Sequence, residues 1–380
     1  MRYRGLMVAN LFRKKTRLAL TLGSFAVALF LFGILAAVKG AFNQAIDIAG
    51  VDRLVVINRV SLIQPLPLSY ADRILRIPGV KAITHDNWFG GIYQDERNFF
   101  GQFAIDDENQ RKVFPEFIIP DEQWSNFMKD RQGAIVGANT AKRFGWKVGD
   151  RVPIKGTIIP GAHEFNVDGI YHGKKTGSDE TQFWFHWAYY DEHAPTALKG
   201  LPGWYFVQVD NPEDSARISK TIDEMFANSP YETRTETEQT FGANWVKQFG
   251  NIEFLILTIG SVVFFTLLLV TGNTMAIAVR ERTAELAVLK AVGYSDRFVM
   301  IFVLSESLII ALLGGGLGVA AAKLLTTFWN PLPNIMPYFA IPWPAVMTGM
   351  ALSLAIGAAS GIMPAASAMR LRVVDALRRI

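Results

Sequence analysis

Four apolar runs, each long enough to cross a lipid bilayer, divide this sequence and leave one large polar interval between the first run and the second. Leu18 to Val38 is 21 residues without a charge, Phe254 to Val279 is 26, and Phe298 to Ala322 is 25 with a single charge, Glu306. Between Lys323 and Arg370 lie 46 uncharged residues, of which Trp343 to Met363 reads as one span. A helix needs about 20 apolar residues to cover the hydrocarbon core. The fold class expected is therefore an α-helical membrane protein with four transmembrane helices, one N-terminal and three C-terminal, plus a domain inserted between the first and second. The first run is too long for a signal-peptide core and no small-residue cleavage motif clearly follows it, so it reads as an uncleaved anchor.

Basic residues flanking the spans set the expected orientation. Residues 1–17 carry six of them, the 280–297 loop carries Arg280, Arg282, Lys290 and Arg297, and the tail carries Arg370, Arg372, Arg378 and Arg379, whereas 324–342 carries none. Both termini and the 280–297 loop are thus expected in the cytoplasm of a multi-pass inner-membrane protein, with the large domain outside. The expected divisions are 1–17, a basic amphipathic lead-in; 18–39, the first span; 40–250, the periplasmic domain; and 251–279, the second span. After them come 280–297, a cytoplasmic loop; 298–323, the third span; 324–342, a short outer loop; 343–364, the fourth span; and 365–380, the tail. Net charge follows the same division. Residues 40–252 hold 22 Lys and Arg against 28 Asp and Glu, and the remainder 16 against 6. Cationic membrane flanks account for the high pI without nucleic acid as a partner, and membrane lipids are the expected contact.

The polar interval mixes strand-like runs, "RLVVINRV", "TQFWFHWAYY" and "GWYFVQVD", with helix-like ones, "SYADRILRI" after Leu68 and "NPEDSARISKTIDEMFANS". That mixture indicates an α+β domain, of a size that makes two lobes plausible. Ser69 is a candidate N-cap, and Gly90-Gly91 a candidate hairpin turn. No catalytic constellation emerges. The five histidines, His85, His163, His172, His186 and His193, lack a helical zinc spacing and read as structural. "GIYHGKKT" has the wrong glycine and lysine spacing for a phosphate loop. The aromatic run Phe183, Trp184, Phe185, Trp187, Tyr189, Tyr190 leaves two readings open, strand packing or a surface for a hydrophobic cargo. The chain contains no cysteine, which excludes disulfides, thiol nucleophiles and cysteine metal sites.

Within the spans, Gly314 and Gly318 stand four apart with Ala322 following. Gly349, Ser353, Gly357 and Gly361 form a second row. Small residues at this spacing let helix backbones approach closely in lipid. Asn273 and Glu306 are the notable intramembrane polar residues, and neither belongs to a relay of acids. An intramembrane carboxylate is a functional-site candidate, with capping or hydrogen bonding inside the bundle as the alternative.

"RERTAELAVLKAVG" (280–293) stands between two spans and carries helix signals at both ends. Glu281 and Glu285 sit at its start and Lys290 at its end, matching the helix dipole. Gly293 is a natural stop, and Ala284, Ala287, Val288, Ala291 and Val292 recur at helical spacing. A helix this short cannot span the bilayer, so it is expected to lie at the membrane surface, joined to two spans.

"RERTAELAVLKAVGYSDRFVMIFVLSESLIIALLGGGLGVA" (280–320) and the ending "SGIMPAASAMRLRVVDALRRI" (360–380) resemble the MacB/FtsX-like permeases of ABC transporters. "RIPGVKAIT" (76–84) and "GAIVGANTAKRFGWKVGDRVPIKG" (133–156) resemble their periplasmic core domain. The resemblance implies a permease subunit, of the mechanotransmission type, that is not itself an enzyme. Two copies, or a copy and a paralogue, would pair above two separate ATPase subunits that bind ATP and Mg, the permease itself holding no cofactor or metal. It further implies a coupling helix gripped by the ATPase, carried here by Glu281, Arg282, Glu285, Leu286, Val288, Leu289, Lys290 and Gly293. A membrane-fusion protein and an outer-membrane channel are further implied partners. Efflux of a drug, peptide or lipid, lipoprotein extraction, and activation of a cell-wall hydrolase are the versions of this machine that the resemblance leaves open. A membrane receptor or scaffold without an ATPase is the competing class, and an external-site enzyme would need an acid, base or metal cluster that the sequence does not display.

Overall fold

The computed structural model describes residues 14–175, 177–248, 250–331 and 338–371. Most of the lead-in 1–17, the center of the 324–342 loop and the end of the 365–380 tail, with Arg2, Arg4, Arg13, Arg372, Arg378 and Arg379, lie outside the described residues. Two compact units emerge, one comprising Met1–Ala41, Asn251–Pro331 and Phe339–Ile380, the other Phe42–Gly250 with Leu332–Tyr338. The chain opens in helix α1 (Lys15–Ile48), 34 residues long and so longer at both ends than the 18–39 expected from hydropathy alone.

The inserted unit is organized, among the described residues, on a ten-stranded mixed sheet. Its strands are β1 (Arg53–Asn58), β2 (Val80–Trp88), β3 (Gln102–Ile105), β4 (Phe117–Ile118), β5 (Gly133–Gly137), β6 (Arg151–Gly156), β7 (Gly161–Gly173), β8 (Phe183–His186), β9 (Trp204–Val209) and β10 (Thr233–Thr237). The order is β10-β1-β9-β2-β3-β8-β5-β7-β4, with β6 pairing β7. Helices α2 (Tyr70–Leu75), α3 (Gln110–Val113), α4 (Asp121–Phe127), α5 (Ala138–Phe144), α6 (Trp187–His193), α7 (Ser215–Met225) and α8 (Glu238–Gln248) complete an α+β unit. One continuous sheet thus underlies what the sequence suggests as two lobes, and the division lies in the packing. Leu54, Ile74, Ile83, Tyr205, Ile218 and Phe226 form one core, and Phe89, Phe100, Trp146, Phe165, Phe183 and Phe185 form another. Alternation along β8 sends Trp184 to the opposite face, where it stacks on Tyr171 at 4.4 Å between ring centroids.

Several local expectations are corrected. Gly90-Gly91 does not make a tight hairpin: β2 and β3 are antiparallel neighbors, but residues 89–101 connect them. Gly91 is instead pinned from both sides by Gln102, whose Oε1 accepts from its N–H at 2.6 Å. Ser69 precedes α2 without a capping side-chain hydrogen bond, because its own backbone is already helical. "TQFWFHWAYY" is a strand only to His186, after which it turns into α6. The aromatic run belongs largely to the interior: Phe183, Trp184, Phe185, Tyr189 and Tyr190 are buried and Trp187 donates to Asn87 Oδ1 at 2.7 Å. Strand and helix packing, not a cargo surface, is therefore its role.

The membrane unit contains α1 with α9 (Ile252–Glu281), α10 (Thr283–Ala291), α11 (Asp296–Phe328) and α12 (Trp343–Met369). Four of these, α1, α9, α11 and α12, are long and apolar enough to cross a membrane. Small residues are where the helices meet. Gly314 lies against Leu22 and Phe25, Gly318 against the backbone of Ala26, and Gly349 against Phe32 and Val319. Gly357 abuts Ala311, and Gly361 abuts Ser307. Ser353 Oγ donates to the Ala311 carbonyl at 2.6 Å, and Ser307 Oγ to that of Gly357 at 2.6 Å, so α11 and α12 are joined by hydrogen bonds as well as by close approach.

Two predictions follow from packing and burial. A side chain at Gly318 would drive its Cβ into the Ala26 carbonyl, whereas the nearest neighbor of Gly316 is Met350 Cε at 3.9 Å. Gly318→Val should cost about 1–3 kcal/mol of overpacking strain and lower the thermal midpoint in detergent, while Gly316→Ala leaves it unchanged. Equal midpoints would remove close packing as the reason for the glycine. In the inserted unit the Asp168 carboxyl is pushed up to about 6, first by burial and then by Asp130, with His186 opposing. Its Oδ2 is buried without a hydrogen-bond partner. The folded state therefore binds the proton more tightly than the unfolded chain does, and stability falls as pH rises from about 4 to 6. Asp168→Asn should gain on the native protein across that window and hold a constant lead above it, measured as denaturant midpoints. A lead that does not change with pH would contradict this.

Candidate functional site

The short helix between the second and third spans is set by its ends. Arg282 leaves helical geometry (φ −104°, ψ 15°), so α9 stops at Glu281 and α10 begins at Thr283. The helix is therefore shorter than the 280–293 stretch that carries the helix signals, and Glu281 and Arg282 lie before it. At the far end Gly293 adopts φ +105°. Its N–H bonds to Lys290 O at 3.0 Å and that of Tyr294 to Leu289 O at 3.1 Å, the paired bonds of a Schellman stop. Ser295 then caps α11 by accepting from the Phe298 N–H at 3.2 Å.

Charged side chains around these breaks join the helix to the spans. Glu281 accepts from Lys14 Nζ at 2.6 Å and Arg17 Nη1 at 2.7 Å, both on or beside α1. Glu281 is 38% exposed, so this pair of contacts is worth little energy. The Arg282–Glu306 pair differs. Arg282 Nη1 donates to Glu306 Oε2 at 2.7 Å, and the two side chains are only 10% and 12% exposed. It links the α9–α10 break to the third span. Lys290 Nζ, 7% exposed, meets Asp296 Oδ1 at 2.7 Å. It also donates to Met369 O at 2.6 Å and Leu371 O at 2.9 Å. The Met369 carbonyl is one that the end of α12 leaves without a helical partner, and that of Leu371 follows just beyond, where the helix dipole is negative, so an ammonium there serves as a C-terminal cap. Ties thus run from the α10 region to every span of the unit.

The helix has two apolar faces. Leu286 and Ala287 are buried at 3% and 0% exposure, and Leu286 and Leu289 pack against Met275, Val279, Val299, Val303, Ala365 and Ala368. Val288 is 50% exposed and Val292 74%. With Ala284 half-buried and Ala291 exposed, they make a stripe at three-to-four spacing. Sequence periodicity placed Ala287 with this stripe, but its side chain faces the bundle. Glu285 is half-buried and borders a cavity beside Arg282.

Of the intramembrane polar residues, Glu306 is partnered by Arg282 and Asn273 is exposed on α9. The ion pair and the Lys290 cap were not foreseen. A lone acid in one span and the arginines Arg280 and Arg282 at the end of the preceding one were the available signal. In the inserted unit the histidines are largely tied into the structure. His186 bonds Asp107 Oδ2 at 2.5 Å and Phe127 O at 2.9 Å, His163 bonds Tyr189 Oη and Ile159 O at 3.1 Å each, and His193 bonds Tyr189 O at 2.8 Å. Among the described residues no group of three or more His, Asp or Glu is disposed to hold a metal ion.

The geometry predicts an uneven response to mutation. Removing one member of a buried ion pair strands the other charge, at a cost of about 3–5 kcal/mol, whereas replacing both with apolar groups is often neutral. Glu306→Leu should sharply lower the thermal midpoint of the detergent-purified chain and Glu306→Gln should lower it less. Arg282→Met combined with Glu306→Leu should recover most of the loss. A double variant as unstable as the sum of the singles would show that the two side chains act separately.

Residues 16–225 match the MacB-like periplasmic core domain and residues 257–373 the FtsX-like permease C-terminal region. The uncharacterized ABC transporter permease MJ1507 of Methanocaldococcus jannaschii is 24% identical over 324 residues, 80% of this chain and 77% of that protein. The uncharacterized ABC transporter permease YvrN of Bacillus subtilis is 38% identical over 110 residues, 28% of this chain and 25% of its own length. The macrolide export ATP-binding/permease protein MacB 1 of Yersinia pestis is 36% identical over 110 residues, 28% of this chain and 16% of its own length. The chain thus spans a quarter or less of the latter two. The periplasmic region of MacB from Actinobacillus actinomycetemcomitans aligns with a TM-score of 0.38 at 12% identity, over 53% of this chain and 96% of that one.

Proposed function

We propose, from the premise that the chain belongs to the MacB/FtsX-like family of ABC transporter permeases, that α10 is the foot through which a separate ATPase drives the four spans. The observation that carries this reading is a helix too short to cross a membrane, tied by Glu281, Arg282 and Lys290 to its neighbors, with an apolar stripe left uncovered. Such a stripe suits the groove of a soluble partner, and the ties suit transmission of a push, because they fix the foot to helices that already pack closely. The basic flanks support a cytoplasmic position for this end, with the inserted unit on the periplasmic side or its equivalent. ATP and Mg then belong to the partner, and hydrolysis moves the permease by rearrangement of its helices. A second copy or a paralogue completes the complex, and the driven step is export or extraction of a substrate.

The test uses the exposed stripe. Val288→Glu puts a charge where the partner's groove would be apolar, at a side chain that is half exposed. It should reduce ATPase recovery with the tagged permease at least about 30-fold, the effect of a hot-spot loss of 2 kcal/mol or more, with insertion unchanged. Undiminished ATPase recovery would contradict the role of α10. Ala287→Glu is not an equivalent test, since that side chain is buried inside the protein itself.

A further inference from the structure

The chain passes from the first span into the inserted unit between Ile48, where α1 ends, and Arg53, where β1 begins. It leaves through α8, which ends at Gln248, and α9 begins at Ile252. A few residues of backbone carry a pull, but with two soft dihedrals each they carry a bend or a twist poorly. One buried side chain is placed to stiffen both connections.

Arg53 is only 4% exposed. Its Nε donates to Glu238 Oε2 at 2.6 Å, its Nη2 meets Glu116 Oε1 at 2.6 Å, and its Nη1 donates to Val113 O at 3.1 Å. The guanidinium carbon lies 4.5 Å from the center of the Phe114 ring. Glu238 is the first residue of α8, and its Oε2 also accepts from the Gly50 N–H at 2.7 Å. One carboxylate oxygen at the start of the outgoing helix therefore holds the incoming backbone at Gly50 and the strand that follows at Arg53. Glycine at position 50 makes room for this, since a Cβ there would lie 2.7 Å from Arg53 Cζ.

The remaining contacts reach across the unit. Leu54 and Val56, on the same strand as Arg53, belong to the core that also holds Tyr205 and Phe226. Glu116 immediately precedes β4, at the other end of the sheet order, where Phe117 packs on Tyr171 and Trp184. A single planar group, donating in fixed directions, thus fastens the incoming strand, the outgoing helix and a segment that leads into the second half of the sheet.

We infer that Arg53 is the joint that carries movement of the first and second spans into the sheet, a positioning residue that makes two pliable connections behave as one stiff corner. The joint lies wholly within the inserted unit, and its use in transmission rests on the reading of α10 as the driven end.

The chain contains no cysteine, so a pair of introduced cysteines takes spin labels without background. Leu257 on α9 and Val148 between α5 and β6 are exposed and suit labeling. The distance between the labels is measured by pulsed electron resonance on the complex with its ATPase in lipid nanodiscs, without nucleotide and with ATP plus vanadate. With Arg53 intact the distance should change between the two states. Arg53→Lys keeps the buried positive charge but not the planar set of donors; it should hydrolyze ATP at the native rate and lose the distance change. Gly50→Ala is the second variant, for the case in which the lysine impairs folding. It leaves every partner in place and displaces the guanidinium, and the same loss is expected with ATP hydrolysis retained. A distance change that survives undiminished in the folded variants would overturn the joint alone. ATP hydrolysis by the native complex with no distance change would overturn the coupling reading and the joint together.

Discussion

One buried ion pair, Arg282 with Glu306, ties the α9–α10 break to the third span of the membrane unit. Charges placed where water is scarce interact strongly but also lose their hydration, so such a pair adds little net stability compared with two apolar side chains. What it supplies is geometry. Arg282 stands at the point where α9 gives way to α10, and Glu306 lies about three turns into α11. A guanidinium donates in fixed directions, so the angle of the break is coupled to the rotation of the third span. An apolar contact at the same place would allow sliding; this one does not.

Around that pair the unit is built to resist bending. Gly318 lets α11 touch the backbone of α1, and the Ser307 and Ser353 hydroxyls donate to carbonyls across the α11–α12 seam. Lys290 binds the last carbonyl of α12, that of Met369, and the Leu371 carbonyl just beyond it. Displacing α10 therefore strains contacts with several spans at once. Interfaces of this kind shift between discrete packings instead of deforming gradually, which is what converting a small movement into a large one requires.

How far the sequence disclosed this can be argued from particular residues. Spans are legible because lipid demands some 20 apolar residues in a row, and only the helix ends, governed by hydrogen bonding, moved. The short helix was legible from Glu285, Lys290 and Gly293, each placed by the dipole or by left-handed geometry at a helix end. Arg282 was read as part of the helix, because nothing in a linear string marks a residue that leaves helical angles to reach a partner 24 positions away. Sheet order in the inserted unit was beyond reach for the same reason. Strands β3 and β8 pair in parallel across nearly eighty residues, and periodicity carries no information about such partners. The aromatic run at 183–190 kept two readings until burial decided between them.

Ala287 makes the same point and carries the argument one step further. A helix with one apolar face rests on its own protein, and periodicity identifies that face. In α10 the apolar residues Ala284, Leu286, Ala287, Val288, Leu289 and Ala291 surround nearly the whole circumference, so the pattern could not say which of them face inward. A helix that is apolar all round belongs in a setting buried on all sides, yet Val288 and the adjoining Val292 are left in the open. Such a composition is poorly suited to a helix that keeps one side in water. It is better suited to one whose second side is also covered, and the open Val288 and Val292 are the feature that supports the proposed partner surface.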